Sequence, residues 1–99
     1  MLNITGNQNG NTLTVALEGR LDTTTAPQLE GELKQSMDRV DALVIDMEKL
    51  SYISSAGLRV LLSAQKVMSK KGGMVVRRVN ADIMEIFDVT GFADILTIE

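Results

Sequence analysis

Apolar and polar residues alternate early in the chain. Leu13, Val15 and Leu17 are interleaved with Thr14, Ala16 and Glu18, the period-two signature of a strand with one buried face. Leu2 and Ile4 begin a weaker alternation upstream. Between the two runs lies Gly6-Asn7-Gln8-Asn9-Gly10-Asn11, built from residues that tolerate positive φ. The pattern predicts an N-terminal β-hairpin whose turn is that stretch. Its glycines match neither dinucleotide-binding nor P-loop spacing, and no helix follows them.

The period then changes. Thr23-Thr24-Thr25-Ala26-Pro27 offers hydroxyl caps and a proline suited to a first helical turn, and Ala26, Leu29, Leu33, Met37 and Val40 follow at spacings of three and four. That stripe predicts a helix lying on a sheet. Ala42-Leu43-Val44-Ile45 is continuous and β-branched, as in a strand covered on both faces. Gly57 to Lys71 predicts a second helix closed by Gly72-Gly73, and Met74-Val75-Val76 another buried strand. Asn80 caps a short third helix carrying Ile83, Ile86 and Phe87 and ended by Gly91, and Ile95-Leu96-Thr97-Ile98 is the last strand. The order β-β-α-β-α-β-α-β predicts a single α/β domain over residues 1–99. It is a mainly parallel sheet with right-handed crossovers, an N-terminal antiparallel hairpin and helices packed on it.

Composition narrows the chemistry. At 99 residues, 44% hydrophobic and 23% charged, the chain is long enough for one core and too apolar for disorder. Its apolar segments are too short and too interrupted to span a membrane, and Met1-Leu2-Asn3-Ile4 does not open a signal peptide. Without cysteine there is no disulfide, thiol nucleophile or thiolate metal site; without histidine there is no imidazole base or standard zinc site. Ten basic against thirteen acidic residues give a net charge of −3, the wrong sign for a nucleic-acid binder. The expectation is a cytoplasmic, non-enzymatic domain with no cofactor or metal, no nucleic-acid partner and no membrane insertion. Lys70-Lys71 and Arg77-Arg78 are read as solvated charges at a helix end and a strand margin.

The unusual junction is Leu50-Ser51-Tyr52-Ile53-Ser54-Ser55-Ala56-Gly57-Leu58, where Ser54 to Gly57 open a helix with four small residues in a row. The simplest reading makes one serine an N-cap. A catalytic serine would need a base and oxyanion donors, and neither a histidine nor a Gly-x-Ser-x-Gly elbow is present. A hydroxyl phosphorylated by another protein needs only to be small-flanked and reachable, since the kinase brings base, metal and ATP. A phosphate there is favoured by free amides and helix dipole while adding about −1.5 to −2 charges. On helix two, Val60, Leu61, Ala64, Val67 and Met68 form the expected core stripe. Leu58 and Leu62 lie off it, covering the helix margin, packing on the third helix or serving as apolar anchors for a partner.

The chain resembles the STAS-domain family, specifically the small bacterial anti-sigma factor antagonists. The likeness rests on Gly19-Arg20-Leu21-Asp22, Ile45-Asp46, Ser54-Ser55-Ala56-Gly57-Leu58, Gly72-Gly73 and Thr90-Gly91-Phe92. In that family the helix-opening segment usually reads Asp-Ser-Ser/Thr-Gly-Leu, with the serine after the aspartate phosphorylated. With Gly57 and Leu58 fixing the register, the aspartate position falls on Ser54, the acceptor on Ser55 and the next residue on Ala56. The resemblance implies that the unphosphorylated protein binds an anti-sigma factor with a histidine-kinase-like ATPase fold and so frees the sigma factor. The same partner, using Mg-ATP, then phosphorylates Ser55, and a separate phosphatase resets it. Ser54 in place of aspartate removes an acid and adds a competing acceptor. Asp22 and Asp46 carry over as supporting carboxylates, and the partner face comprises Asp22, Ser54, Ser55, Ala56, Gly57, Leu58 and Leu62.

Two other readings draw on the same residues. A receiver domain would phosphorylate Asp46, but needs more acids for Mg²⁺ and a lysine after the fourth strand, where Arg77-Arg78 stand. A STAS accessory subunit of an ABC-type phospholipid transport complex would use the same surface as a fixed, unphosphorylated docking face.

Overall fold

The alternation from Leu13 to Leu17 lies inside a long hairpin. In the computed structural model, which describes residues 1–99, β1 (Leu2–Asn9) pairs antiparallel with β2 (Thr12–Leu21) in unbroken register, from Leu2 opposite Gly19 to Asn9 opposite Thr12. The turn shrinks to Gly10-Asn11, so Gly6 to Asn9, expected within it, are strand. Gly10 takes a φ of 63° at the first of the two loop positions, a conformation that a tight hairpin demands and a side chain resists.

The rest follows as α1 (Ala26–Met37), β3 (Ala42–Ile53), α2 (Ser55–Met68), β4 (Met74–Arg77), α3 (Ala81–Thr90), a short 3-10 turn (Phe92–Asp94) and β5 (Thr97–Ile98). The strands lie in the order β1-β2-β3-β4-β5, and every pairing beyond the hairpin is parallel. This is the expected architecture, a mainly parallel sheet extended by one antiparallel hairpin strand.

One face of the sheet carries the core. Leu13, Val15 and Leu17 of β2, Leu43 and Ile45 of β3, and Met74 and Val76 of β4 are buried with residues of all three helices in a single cluster. On the opposite face Thr14, Val44 and Val75 are half-buried and Ala16 is exposed. The segments Ala42–Ile45 and Met74–Val76, expected to be covered on both faces, are therefore covered on one.

Several boundaries also move. β3 runs eight residues beyond its apolar stretch, because two register steps against β2 let Glu48, Lys49 and Ser51 interrupt the alternation without ending the ladder. α2 begins at Ser55, two residues before Gly57, and ends at Met68 rather than Lys71. β5 is confined to Thr97–Ile98, since Ile95 and Leu96 turn out of the 3-10 segment. The paired charges are not simply solvated either. Lys71 Nζ donates to the carbonyls of Met37 (2.6 Å) and Val40 (3.2 Å), satisfying groups that the end of α1 leaves open. Arg77 pairs with Glu99 at 3.0 Å, and Arg78 turns to Asp46 and Glu48.

Candidate functional site

The ends of β2 and β3 deliver the chain into the first turns of α1 and α2. The Ser54 amide donates to the Leu21 carbonyl at 2.9 Å, holding the start of α2 against the end of β2. Gly57 makes this contact possible. A Cβ built there would stand 2.7 Å from Leu21 Cγ and 2.9 Å from Ile53 Cγ1, so any side chain would push the helix off the sheet. The small-residue run is thus partly a packing requirement.

The two serines face opposite ways. Ser54 is the N-cap residue in extended conformation (φ −101°, ψ 176°), yet its hydroxyl makes no bond to the helix amides. Its Oγ is buried and has no hydrogen-bond partner at all. The expected N-cap serine bond is therefore absent, and no acid sits in the first turn of α2 to offset the dipole. Ser55, the first helical residue, is exposed, with half-buried Ala56 beside it.

Asp22 organises the neighbouring loop. Its Oδ1 accepts from the Thr24 hydroxyl (2.7 Å), the Thr24 amide (3.0 Å) and the Thr25 amide (3.2 Å), while Arg20 Nε stands 3.7 Å from Oδ2. The Thr24 hydroxyl leads the hydrogen bonds that hold this carboxyl below its ordinary pKa, against a smaller upward push from burial. Thr25, expected to cap α1, instead closes the loop: its hydroxyl accepts from the Asp22 amide and donates to the Arg20 carbonyl, both at 2.8 Å. The Arg20 guanidinium also lies over the Tyr52 ring, 4.3 Å from its centroid.

Between the first turns of α1 and α2 runs an open groove of about 200 Å³, lined by Thr23, Ala26, Pro27, Glu30, Ala56, Arg59 and Val60. Arg59 stands one turn after Ser55 on the same side of α2, exposed and outside every ion pair in the molecule. Sequence reasoning passed over it, although its i+4 spacing from Ser55 was the available signal.

The other expected residues separate. Leu58 is only 5% exposed and belongs to the core, so it is not an accessible anchor; Leu62 is half-buried. The buried residues of α2 span an arc of about 160° from Val60 to Leu58, with Leu61 and Met68 near its middle. Val67, expected in the core, falls outside that arc and is 40% exposed.

Asp46 lies elsewhere, on the sheet face away from the core, and is 8% exposed. Its Oδ2 accepts from the Arg78 guanidinium (Nε at 3.1 Å), and its Oδ1 from the Glu48 amide at 3.0 Å. Burial pushes this carboxyl upward in pKa, but the Arg78 bond, the Glu48 amide and the charges of Arg78 and Arg77 together bring it below the ordinary value. No group of three or more acidic side chains is arranged to share a metal ion. The receiver arrangement has no counterpart here, because both oxygens of Asp46 are already engaged.

The STAS domain family model matches residues 3–99. BtrV of Bordetella bronchiseptica, named provisionally as an anti-sigma factor antagonist, is 36% identical over 88 residues, covering 87% of this chain and 76% of that protein. The anti-sigma-B factor antagonist of Bacillus subtilis is 31% identical over 98 residues, covering 98% of this chain and 90% of the other. The crystal structure of an anti-sigma factor antagonist from Mycobacterium paratuberculosis has a TM-score of 0.89 at 23% identity over 99% of this chain and 85% of that one, which shows a shared fold.

Proposed function

The chain belongs to the STAS domain family, and from that premise we propose that it is an anti-sigma factor antagonist switched by phosphorylation of Ser55. In the unphosphorylated form it binds an anti-sigma factor in the cytoplasm and frees the sigma factor. That partner is a serine kinase and supplies Mg-ATP; a phosphatase restores the binding form. Relatives named for this activity at 31% and 36% identity support the class of function.

The observation that carries the choice of residue is the contrast within the serine pair. Ser55 is exposed at the start of α2 beside small neighbours, whereas Ser54 Oγ is sealed. A visiting kinase can reach one and not the other, so Ser54 does not compete. No base or metal is needed in this chain, because the kinase positions the hydroxyl, accepts its proton and neutralises the phosphate charge.

The first turn of α2 tolerates the product. Its amides lack intrahelical partners and no carboxylate occupies the turn, so a phosphate there is favoured by about 0.3–1 kcal/mol. Against a docked partner the same dianion is costly. Desolvating it costs about 2–5 kcal/mol, a loss of affinity of roughly 30- to 4,000-fold. The docking face is the exposed part of this region: Ser55, Ala56, Arg59 and the Asp22 loop, with Leu62 at its margin.

The test is binding to the cognate anti-sigma factor with and without Mg-ATP, with the modified residue mapped by mass spectrometry. Phosphate on Ser55, retained binding by Ser55→Ala in the presence of Mg-ATP and weakened binding by Ser55→Asp are the expected results. Equal binding by both variants, or phosphate on Ser54, would overturn the reading.

A further inference from the structure

The two edges of the sheet are built differently. β5 is two residues long, and its edge is flanked by the Arg77–Glu99 ion pair at 3.0 Å. Short and charged, it offers another strand little to pair with. β1 is eight residues long, pairs with β2 without a bulge, and contains no proline and no charged residue. The uncharged run continues from Leu2 to Leu17, and the strand is exposed from Thr5 to Asn9. Shortness, charge, proline and a bulge, four usual protections of an edge, are missing here.

Hydrogen-bond parity identifies the free groups. The Arg20 amide donates to the Met1 carbonyl at 3.0 Å, so the odd-numbered residues of β1 turn their backbone groups toward β2 and the even-numbered ones turn theirs outward. The Leu2 carbonyl is taken by Gln28 Nε2 at 3.4 Å. The amides and carbonyls of Ile4, Gly6 and Gln8 remain open.

We propose that β1 is a self-association edge, at which two copies of this chain pair antiparallel about a two-fold axis through Gly6. In that register Ile4 faces Gln8 of the second copy, Gly6 faces its own equivalent, and each pair exchanges both backbone hydrogen bonds. The two five-stranded sheets become continuous. Charge selects the occupant. Each copy carries −3 and repels its like over most approaches, but β1 itself sets no charged side chain against its equivalent in the second copy. Packing agrees with the register. Beside Gly6 lies a notch of about 50 Å³ with Ile4, Leu13, Val15 and Leu33 as its apolar walls and Glu32 and Ser36 of α1 as its polar ones, and Ile4 of the second copy falls diagonally across from Gly6 on the same face.

The same register supplies a test that spares the monomer. Thr5 stands opposite Asn7 of the second copy, and both are exposed on the face away from the core. T5K/N7K therefore places lysines directly opposite each other, whereas T5K/N7E places opposite charges there. Sedimentation of the wild-type chain over a concentration series should show a shift from monomer to dimer. In the dimer the amides of Ile4, Gly6 and Gln8 should gain protection from hydrogen exchange. T5K/N7K should raise the dissociation constant about tenfold, and T5K/N7E should restore it, with circular dichroism showing both variants folded. A wild-type mass that stays monomeric at every concentration, or two variants that associate equally, overturns the proposal. None of these readouts depends on Ser55.

Discussion

α2 and α3 both begin where a strand ends, and their first turns are finished in opposite ways. At α3, Asn80 accepts from the Ile83 amide at 3.0 Å, donates to the Leu50 carbonyl at 2.7 Å, and is followed by Asp82 in the first turn. Cap, anchor and compensating charge all come from the chain itself. At α2 the corresponding serine turns its hydroxyl inward, the acid is absent, and Gly57 stands where α3 has Ile83. An end completed internally has no use for a ligand, while one left open has backbone amides to offer. Within one molecule, this contrast separates a structural helix start from one suited to carrying an added negative group.

Substitutions can break the contrast. The largest effect is expected at Gly57: Gly57→Ala forces a Cβ against Leu21 and Ile53 and should cost about 1–3 kcal/mol by denaturant unfolding. Asn80→Ala removes a working cap and should cost about 1 kcal/mol. Ser54→Ala removes a hydroxyl that bonds to nothing, and should leave stability unchanged within about 0.5 kcal/mol or raise it slightly. A loss at Ser54 as large as that at Asn80 would end the comparison. Ser55→Asp should supply the missing charge and add about 0.3–1 kcal/mol, less in high salt, even as it weakens partner binding.

Acid titration is the subtlest probe. Asp22 beside the start of α2, and Asp46, held by Arg78 just before α3, both have carboxyl pKa values below the ordinary range. A carboxylate with a lowered folded pKa contributes stability that is complete above its unfolded value, about 4, and is lost as pH falls through the folded value. Stability should therefore be flat in pH near neutrality and fall on the acid side. Asp22→Asn and Asp46→Asn should each flatten part of that fall.

Much of this was legible in the residues. The alternation around Val15 and the α1 stripe from Ala26 to Met37 report a one-faced burial that sequence periodicity records directly. The bulges in β3 were not legible, because an inserted residue looks like the end of a strand when only period is read. Nor was the role of Arg78: a sequence shows a cation beside a strand, while its pairing with Asp46 depends on a backbone φ of 57° and a neighbouring strand 32 residues away. At the site, the family register identified the serine pair, but the direction of each hydroxyl is set by packing against the end of β2. The burial of Leu58 was hidden for a related reason. A helix shows its apolar arc in sequence, but the centre of that arc depends on how the helix rolls against its sheet.

The inward hydroxyl of Ser54 bears on how sharply such a module could report. Adjacent acceptors with equal access would yield a mixture of singly and doubly marked chains, and anything docking there would respond in grades. With one oxygen walled off, a phosphate accepted by this segment would sit at a single place. The strength of the output would then track only the fraction of molecules marked.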